Sequence, residues 1–238
     1  MVKSLKTKKG RDEHGLFIVE GIKQLAEIPA NWSIHAYICA ESYPYKENAI
    51  VISDSRFASL SDTITPQGIM AVCEKRSFKL DDVISKNPFI LIGESLSDPG
   101  NIGTLIRTAA AAGADGVILS EGSGDIYNPK TIRAAAGASL RIPIIEQANL
   151  NEVILKLKRQ GIKVLATHLE GEVSPYEVNM QHGCAILVGN EAHGLSDEIS
   201  TLADVRIKLP MAREVESLNA SIAGGIIMYE VLRQRRHA

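Results

Sequence analysis

Residues Cys184 to Tyr229 read CAILVGNEAHGLSDEISTLADVRIKLPMAREVESLNASIAGGIIMY. Two apolar runs end in turns here, Gly189-Asn190-Glu191-Ala192-His193-Gly194 and Leu209-Pro210-Met211. A polar stretch, Glu216-Ser217-Leu218-Asn219, then opens a long helix rich in small residues. Strand ends that empty into glycine- or proline-containing turns are where open α/β sheets place their ligands. No Gly-x-Gly-x-x-Gly fingerprint and no Walker lysine stands in these turns, which argues against an ordinary dinucleotide or P-loop site.

Upstream the same alternation continues. Phe89–Ile92, Gly116–Leu119, Ile142–Ile145, Val164–Thr167, Ala185–Val188 and Val205–Leu209 read as strands. Between them Asn101–Ala112, Pro129–Ala138, Leu150–Gln160 and Leu195–Leu202 read as helices, and a final helix runs from Ser217 to Arg235. Strands that are continuously apolar and alternate with helices predict a parallel sheet covered on both faces. A smaller α/β module precedes it: strands at Leu16–Val19, Ile34–Cys39, Ala49–Ser53 and Gly68–Cys73, with helices at Ile22–Glu27 and Ser55–Ser61. Charged residues without apolar periodicity, then Asn87-Pro88, place the boundary between Arg76 and Asn87. Two domains are expected, 1–80 and 87–238. Residues 1–10 read as a flexible arm.

With 238 residues, 45% of them hydrophobic and 23% charged, the chain can bury a core and is not disordered. No apolar run is long enough to span a bilayer, and the basic N-terminus is not followed by a signal-peptide hydrophobic region. Cys39, Cys73 and Cys184 are odd in number and far apart, so reduced, buried thiols in a soluble cytoplasmic protein are expected. A formal charge of −2 argues against indiscriminate nucleic-acid binding, yet cations crowd both ends: Lys3, Lys6, Lys8, Lys9 and Arg11, then Arg233, Arg235 and Arg236. They form either a local basic face or solvated termini.

Three constellations could carry chemistry. In the first, a turn leads to a helix beginning near Asn101, with Arg107 about one and a half turns along. A helix N-terminus and an arginine together would grip a phosphate; alternatively Asn101 caps the helix and Arg107 pairs with a surface carboxylate. In the second, Gly189 and Gly194 permit close backbone approach to a ligand. Glu191 there either accepts hydrogen bonds or sits as an acid at a helix start, and His193 is either a base or solvated. In the third, Ser217 and Asn219 open a helix whose Ala220, Ala223, Gly224 and Gly225 let another backbone come close, either in this chain or in a partner subunit.

In order and wording the three constellations resemble the motifs of the SpoU (TrmH-type) class of the SPOUT superfamily, RNA ribose 2′-O-methyltransferases. Asn101-Ile102-Gly103 with Arg107, Thr108 and Ala109 matches the first motif. Leu187-Val188-Gly189-Asn190-Glu191 with Gly194-Leu195 matches the second. Leu209-Pro210-Met211 with Ser217-Leu218-Asn219-Ala220-Ser221 matches the third. The resemblance covers Asn87 to the C-terminus. A shorter stretch, HGLFIVEG from His14 to Gly21, resembles the ribosomal-protein-like substrate-binding domain found ahead of many such enzymes.

The resemblance implies a parallel α/β sheet with a C-terminal deep trefoil knot, which elementary topology rules would have excluded. It implies S-adenosylmethionine held largely by backbone groups, with Gly189, Leu209 and Leu218 as binding positions and Leu187, Asn190, Ile207 and Met211 beside them. S-adenosylhomocysteine would be the product, and no metal is required. It implies a homodimer with the active site at the subunit interface, where Arg107 would act beside the other subunit's cofactor. A guanidinium, with a pKa above about 12, is a poor base. Arg107 is therefore expected to clamp substrate phosphate and stabilise developing alkoxide charge. Asn101, Glu191, Ser217 and Asn219 would orient the ribose and maintain the loops. The N-terminal module, aided by the lysines of the arm, would hold RNA, and its presence favours 23S-type ribosomal RNA over transfer RNA as substrate. The alternatives are a tRNA 2′-O-methyltransferase, a non-catalytic RNA-binding protein of the same fold, and a nucleotide-binding enzyme on an ordinary Rossmann-like sheet. The last would need a glycine fingerprint that Gly122-Ser123-Gly124 does not supply.

Overall fold

The computed structural model describes residues 1–44, 47–212 and 216–236. Strands β1 (Leu16–Glu20), β2 (Ile34–Ala40), β3 (Ala49–Ile52) and β4 (Ile69–Glu74) form a mixed sheet in the order β1-β4-β2-β3. Helices α1 (Lys8–His14), α2 (Ile22–Ala26) and α3 (Asp54–Leu60) accompany it. Strands β5 (Phe89–Gly93), β6 (Gly116–Ser120), β7 (Ile144–Ala148), β8 (Lys163–Thr167), β9 (Cys184–Val188) and β10 (Val205–Ile207) form a second sheet. All its pairings are parallel, and its order is β10-β8-β9-β5-β6-β7. Helices α4 (Pro99–Ala111), α5 (Pro129–Ala135), α6 (Leu150–Arg159), α7 (Asp197–Leu202) and α8 (Ala220–Arg236) cover both its faces.

Every residue of β5, β6 and β9 is buried, which is why these strands read as unbroken apolar runs rather than alternating ones. Successive side chains leave the sheet on opposite sides. Leu91, Val117 and Ile186 pack with α4, α8 and the N-terminal sheet, whereas Ile90, Ile118 and Leu187 pack with α6 and α7. The N-terminal half thus shares a core with the larger sheet, through Phe17, Val19, Trp32 and Cys73. Polar contacts reinforce that seam. Trp32 Nε1 donates to the Leu140 carbonyl at 2.8 Å, and the Phe17 and Tyr127 rings lie 4.6 Å apart.

Residues 1–10 are not a free arm. Val2–Lys6 is a 3-10 turn and α1 follows, with Leu5 and Arg11 buried. Arg11 Nε and Nη2 donate to Asp125 Oδ2 at 2.8 and 2.5 Å, and Nη1 donates to the Leu5 carbonyl at 2.7 Å. Arg11 is therefore a strut between the two halves and not an RNA-facing cation. Nor is the C-terminal end a solvated tail. The Arg235 guanidinium donates to the carbonyls of Asn87, Pro88, Met180 and His182, and Arg233 pairs with Glu230.

Helix ends shifted from their expected positions have local causes. Asp98 caps α4 by accepting the Asn101 N–H at 2.8 Å, so the helix starts at Pro99 and Asn101 is not its cap. Asn219 Oδ1 accepts the N–H groups of Ser221 and Ile222, which leaves Ser217 and Leu218 outside α8. Left-handed Ala136 and Gly137 end α5 early, and Ser196 caps α7, so that the helix starts at Asp197, two residues into its expected span. The three cysteines are buried; burial pushes the Cys73 thiol up to about 12 and that of Cys184 to about 11, as inert thiols. Among the described residues no helix is long and apolar enough to cross a membrane.

Asp125→Ala leaves the Arg11 guanidinium buried and unpaired, so unfolding by denaturant should show a loss of about 3 kcal/mol or more. A loss under about 1 kcal/mol would mean that the strut contributes little to stability.

Candidate active site

The strand order places the C-terminal ends of β10, β8, β9 and β5 side by side, so the turns that follow them share one rim of the sheet. Two close backbone approaches shape it. A Cβ on Gly189 would lie 2.1 Å from the Gly194 carbonyl carbon, because the turn closes on itself through reciprocal Asn190–Gly194 backbone bonds of 2.9 Å. A Cβ on Gly171 would lie 2.7 Å from the Ile207 carbonyl carbon, where 168–173 crosses the end of β10. Only glycine fits at either position.

One carboxylate organises the rim. Glu191 Oε1 accepts from Asn101 Nδ2 at 3.1 Å and from the Asp98 N–H at 3.3 Å; Oε2 accepts from the Ser97 hydroxyl at 3.1 Å and its N–H at 3.3 Å. Asn101 then accepts, through Oδ1, a 3.0 Å hydrogen bond from Asn219 Nδ2. Asn219 completes the series with its own Oδ1 on the first turn of α8, taking the Ser221 hydroxyl at 2.6 Å. Glu191, Asn101 and Asn219 thereby tie together one residue from each of the three sequence constellations. Burial raises the Glu191 pKa, but its own N–H, Asn101 and the Ser97 and Asp98 amides outweigh that and hold the carboxyl below its usual range.

A second set of bonds closes the flanks. Asn190 Nδ2 donates to the Ser95 carbonyl at 2.7 Å, and its Oδ1 accepts the Ala192 and His193 N–H groups. Ser95 sits in the left-handed region with φ of 49°, its N–H held by Ser120 Oγ at 2.8 Å. Glu94 receives both the Ser196 N–H at 2.8 Å and the Ser196 hydroxyl at 2.6 Å. The turn 189–196 is thus fixed at both ends to the turn that follows β5.

The remaining expected residues fall around this frame. Leu187 is buried in β9 and Ile207 in β10. Leu209 and Met211 are half-buried beyond β10, and among the described residues their N–H groups have no hydrogen-bond partner. Leu218 is 38% exposed, Ser217 is exposed without a described side-chain partner, and the His193 imidazole is exposed. Arg107 is exposed on α4, with neither ion pair nor hydrogen bond among the described residues, so no described carboxylate occupies it. α8 packs on α4 where Gly224 meets Leu105 and Gly225 meets Thr108. Sequence reading gave no role to Glu94 or Ser97, although both stand in the turn of the first constellation, nor to Ser196. It also missed 168–171, where Gly171 was the one available signal. Among the described residues no group of three or more His, Cys, Asp and Glu is gathered to hold a metal ion.

The described SpoU rRNA Methylase family matches residues 88–229, the segment that contains this whole rim. The chain belongs to the SpoU rRNA methylase family. The MRM3-like substrate binding domain matches residues 1–71. Among SpoU relatives, the 23S rRNA (guanosine(2553)-2′-O)-methyltransferase RlmP of Bacillus subtilis is 32% identical over 96% of this chain and 93% of its own length. The crystal structure of the AdoMet-bound rRNA methyltransferase from Sinorhizobium meliloti superposes with a TM-score of 0.87 at 30% identity, covering 99% of this chain and 93% of that one. The SpoU methyltransferase AviRb from Streptomyces viridochromogenes, in complex with AdoMet, superposes with a TM-score of 0.90 at 25% identity, covering 99% and 97%.

A carboxyl whose pKa is lowered by folding contributes order that is whole above the ordinary carboxyl pKa and is lost as pH falls through the lowered value. Amide exchange of residues 97–98 and 189–196, corrected for intrinsic rates, should therefore keep its protection through the ordinary carboxyl range and lose it only at more acid pH. In Glu191→Gln the protection should be weaker at neutral pH and show no such step. An unchanged acid profile would show that another group holds the rim.

Proposed function

We propose that this chain is an S-adenosylmethionine-dependent RNA ribose 2′-O-methyltransferase acting on ribosomal RNA, with residues 1–80 as the RNA-binding domain and 87–238 as the catalytic domain. The observation that carries the reading is the Glu191–Asn101–Asn219 series, which joins the three SpoU motifs around one rim. The cofactor fits what lines that rim. Open peptide groups at Leu209 and Met211 can read an adenine edge, half-open Leu209 and Leu218 can flank its ring, and Gly189 allows close approach. Leu187, Asn190 and Ile207 hold these turns in place. When bound, S-adenosylmethionine supplies an electrophilic methyl group, and S-adenosylhomocysteine is left. No metal is part of this proposal.

Arg107, with no described carboxylate against it, clamps a substrate phosphate and stabilises negative charge developing on the ribose 2′-oxygen. Asn101 and Asn219 hold each other's amides in fixed orientation, Glu191 fixes Asn101, and exposed Ser217 offers a hydroxyl to the ribose. A full-length match to a 23S rRNA methyltransferase, together with the substrate-binding module, supports ribosomal over transfer RNA. A knotted C-terminal chain and a cytoplasmic location belong to the same reading, the first supported by the glycine crossings at Gly171 and Gly189.

A homodimer completes the proposal. Ile222, Ile226 and Tyr229, exposed by 52, 37 and 52%, recur at helical spacing along the outer side of α8, and Leu218, 38% exposed, stands just before its first turn. A second copy covering this stripe would bring its own cofactor rim beside Arg107.

Incubating the protein and labelled S-adenosylmethionine with total rRNA and, separately, total tRNA from a strain lacking this gene should label rRNA in an alkali-resistant linkage. Label confined to tRNA would overturn the substrate assignment, and neither label nor cofactor binding would overturn the activity. Arg107→Ala should bind cofactor normally by calorimetry while losing about 10²-fold or more in methyl transfer; wild-type turnover would remove Arg107 from the mechanism. Ile226→Glu should shift the protein to monomer mass in light scattering and reduce methyl transfer, whereas an unshifted dimer would place the interface elsewhere.

A further inference from the structure

Between the N-terminal sheet and the catalytic helix α4 lies a single short helix, α5. It packs against α4 where a Cβ on Gly103 would fall 2.5 Å from the Ala134 Cβ and 2.7 Å from the Thr131 carbonyl oxygen. At its far end a Cβ on Gly137 would fall 2.4 Å from the Glu27 Cβ, on the turn that follows α2. α5 therefore touches both halves of the molecule. The side chains it turns to solvent are Lys130 and Arg133, three residues apart and hence neighbours on one helix surface. Arg107 lies one turn beyond Gly103 on the same side of α4, so all three cations flank the α4–α5 seam.

The charges around this strip leave it positive. Lys130 lies 3.6 Å from Asp98, an exposed pair whose carboxylate is already engaged as the α4 cap. Such a surface pair holds weakly and yields readily to a phosphate. Glu27 is paired with Arg141, and Asp125 with buried Arg11. Arg133, like Arg107, has no ion pair or side-chain hydrogen bond among the described residues. Asp98 lies directly beside Glu191 and Asn101, so the Lys130 end of the strip abuts the catalytic rim and the Gly137 end abuts the substrate-binding half.

We infer that Lys130 and Arg133 of α5 form a phosphate-binding track that carries the RNA backbone from the N-terminal domain, past Arg107, to the rim. This deepens the proposed function and rests on RNA being the substrate. The two side chains contact the sugar-phosphate chain and not bases, so they set where the strand lies rather than which nucleotide is chosen. A cation that neutralises a phosphate releases a counterion and steepens the salt dependence of binding.

The test compares the full-length wild type with Lys130→Ala/Arg133→Ala, using total rRNA as probe. Arg159→Ala is the control, since it removes an exposed cation from α6 on the opposite face of the sheet. The slope of log K against log salt in filter binding should fall by about 1.4, from about 0.7 per single-strand phosphate contact. The kcat/KM for RNA should fall at least fivefold while the S-adenosylmethionine Kd is unchanged. Arg159→Ala should alter none of these. An unchanged slope and KM in the double variant, or an equal loss in Arg159→Ala, would overturn the track. Wild-type RNA binding without methyl transfer would overturn the proposed activity instead, and the salt slope would still decide the track.

Discussion

The candidate site depends on one carboxylate held below its usual pKa in a ring of donors. Glu191 lies 90 residues from Asn101 along the chain, and Asn101 lies 118 residues from Asn219. Contacts so distant in sequence require β5, β9 and the start of α8 to lie together, so the rim reports on the fold of the whole C-terminal half. Each amide in the series uses one end to fix the next residue, which sets which end remains. A neutral hydrogen bond adds only about 1 kcal/mol; the larger effect is orientational, since every neighbour restricts the next.

The glycines serve this arrangement by removing volume. Gly189 and Gly171 let turns lie against backbone, and Gly103 and Gly224 bring α5 and α8 tight onto α4. The N-terminal half is bound as closely. Its apolar face shares the core beneath α4, and Arg11 reaches Asp125 from the opposite end of the seam. The two halves are thereby held in fixed register, which a flexible tether could not achieve.

Much of this was legible in the sequence. Continuous apolar segments marked β5, β6 and β9 because these are buried on both faces, and their turns marked the rim. β7, expected at Ile142–Ile145, runs from Ile144 to Ala148, where polar residues at the sheet edge hid its second half. The strand order β10-β8-β9-β5-β6-β7 was not legible, because nothing local in an apolar strand says which neighbour it pairs with. The first ten residues were misread because four lysines mask Leu5, and because Gly10 gave no hint that its Cβ would strike the Ser4 carbonyl. Asn101, Glu191 and Asn219 were named from the motifs they match. Their hydrogen bonds to one another, and the Glu94–Ser196 bonds that brace them, are properties of the fold that no spacing along the chain encodes.

The interdependence of the rim is measured most directly by a double-mutant cycle on S-adenosylmethionine affinity, with Asn101→Ala, Asn219→Ala and the pair titrated by calorimetry. Each single change should weaken binding by about three- to tenfold, and the pair should be little worse than the weaker single, because either change already breaks the series. Losses that multiply in the double variant would contradict a cofactor cleft held by one connected set of hydrogen bonds.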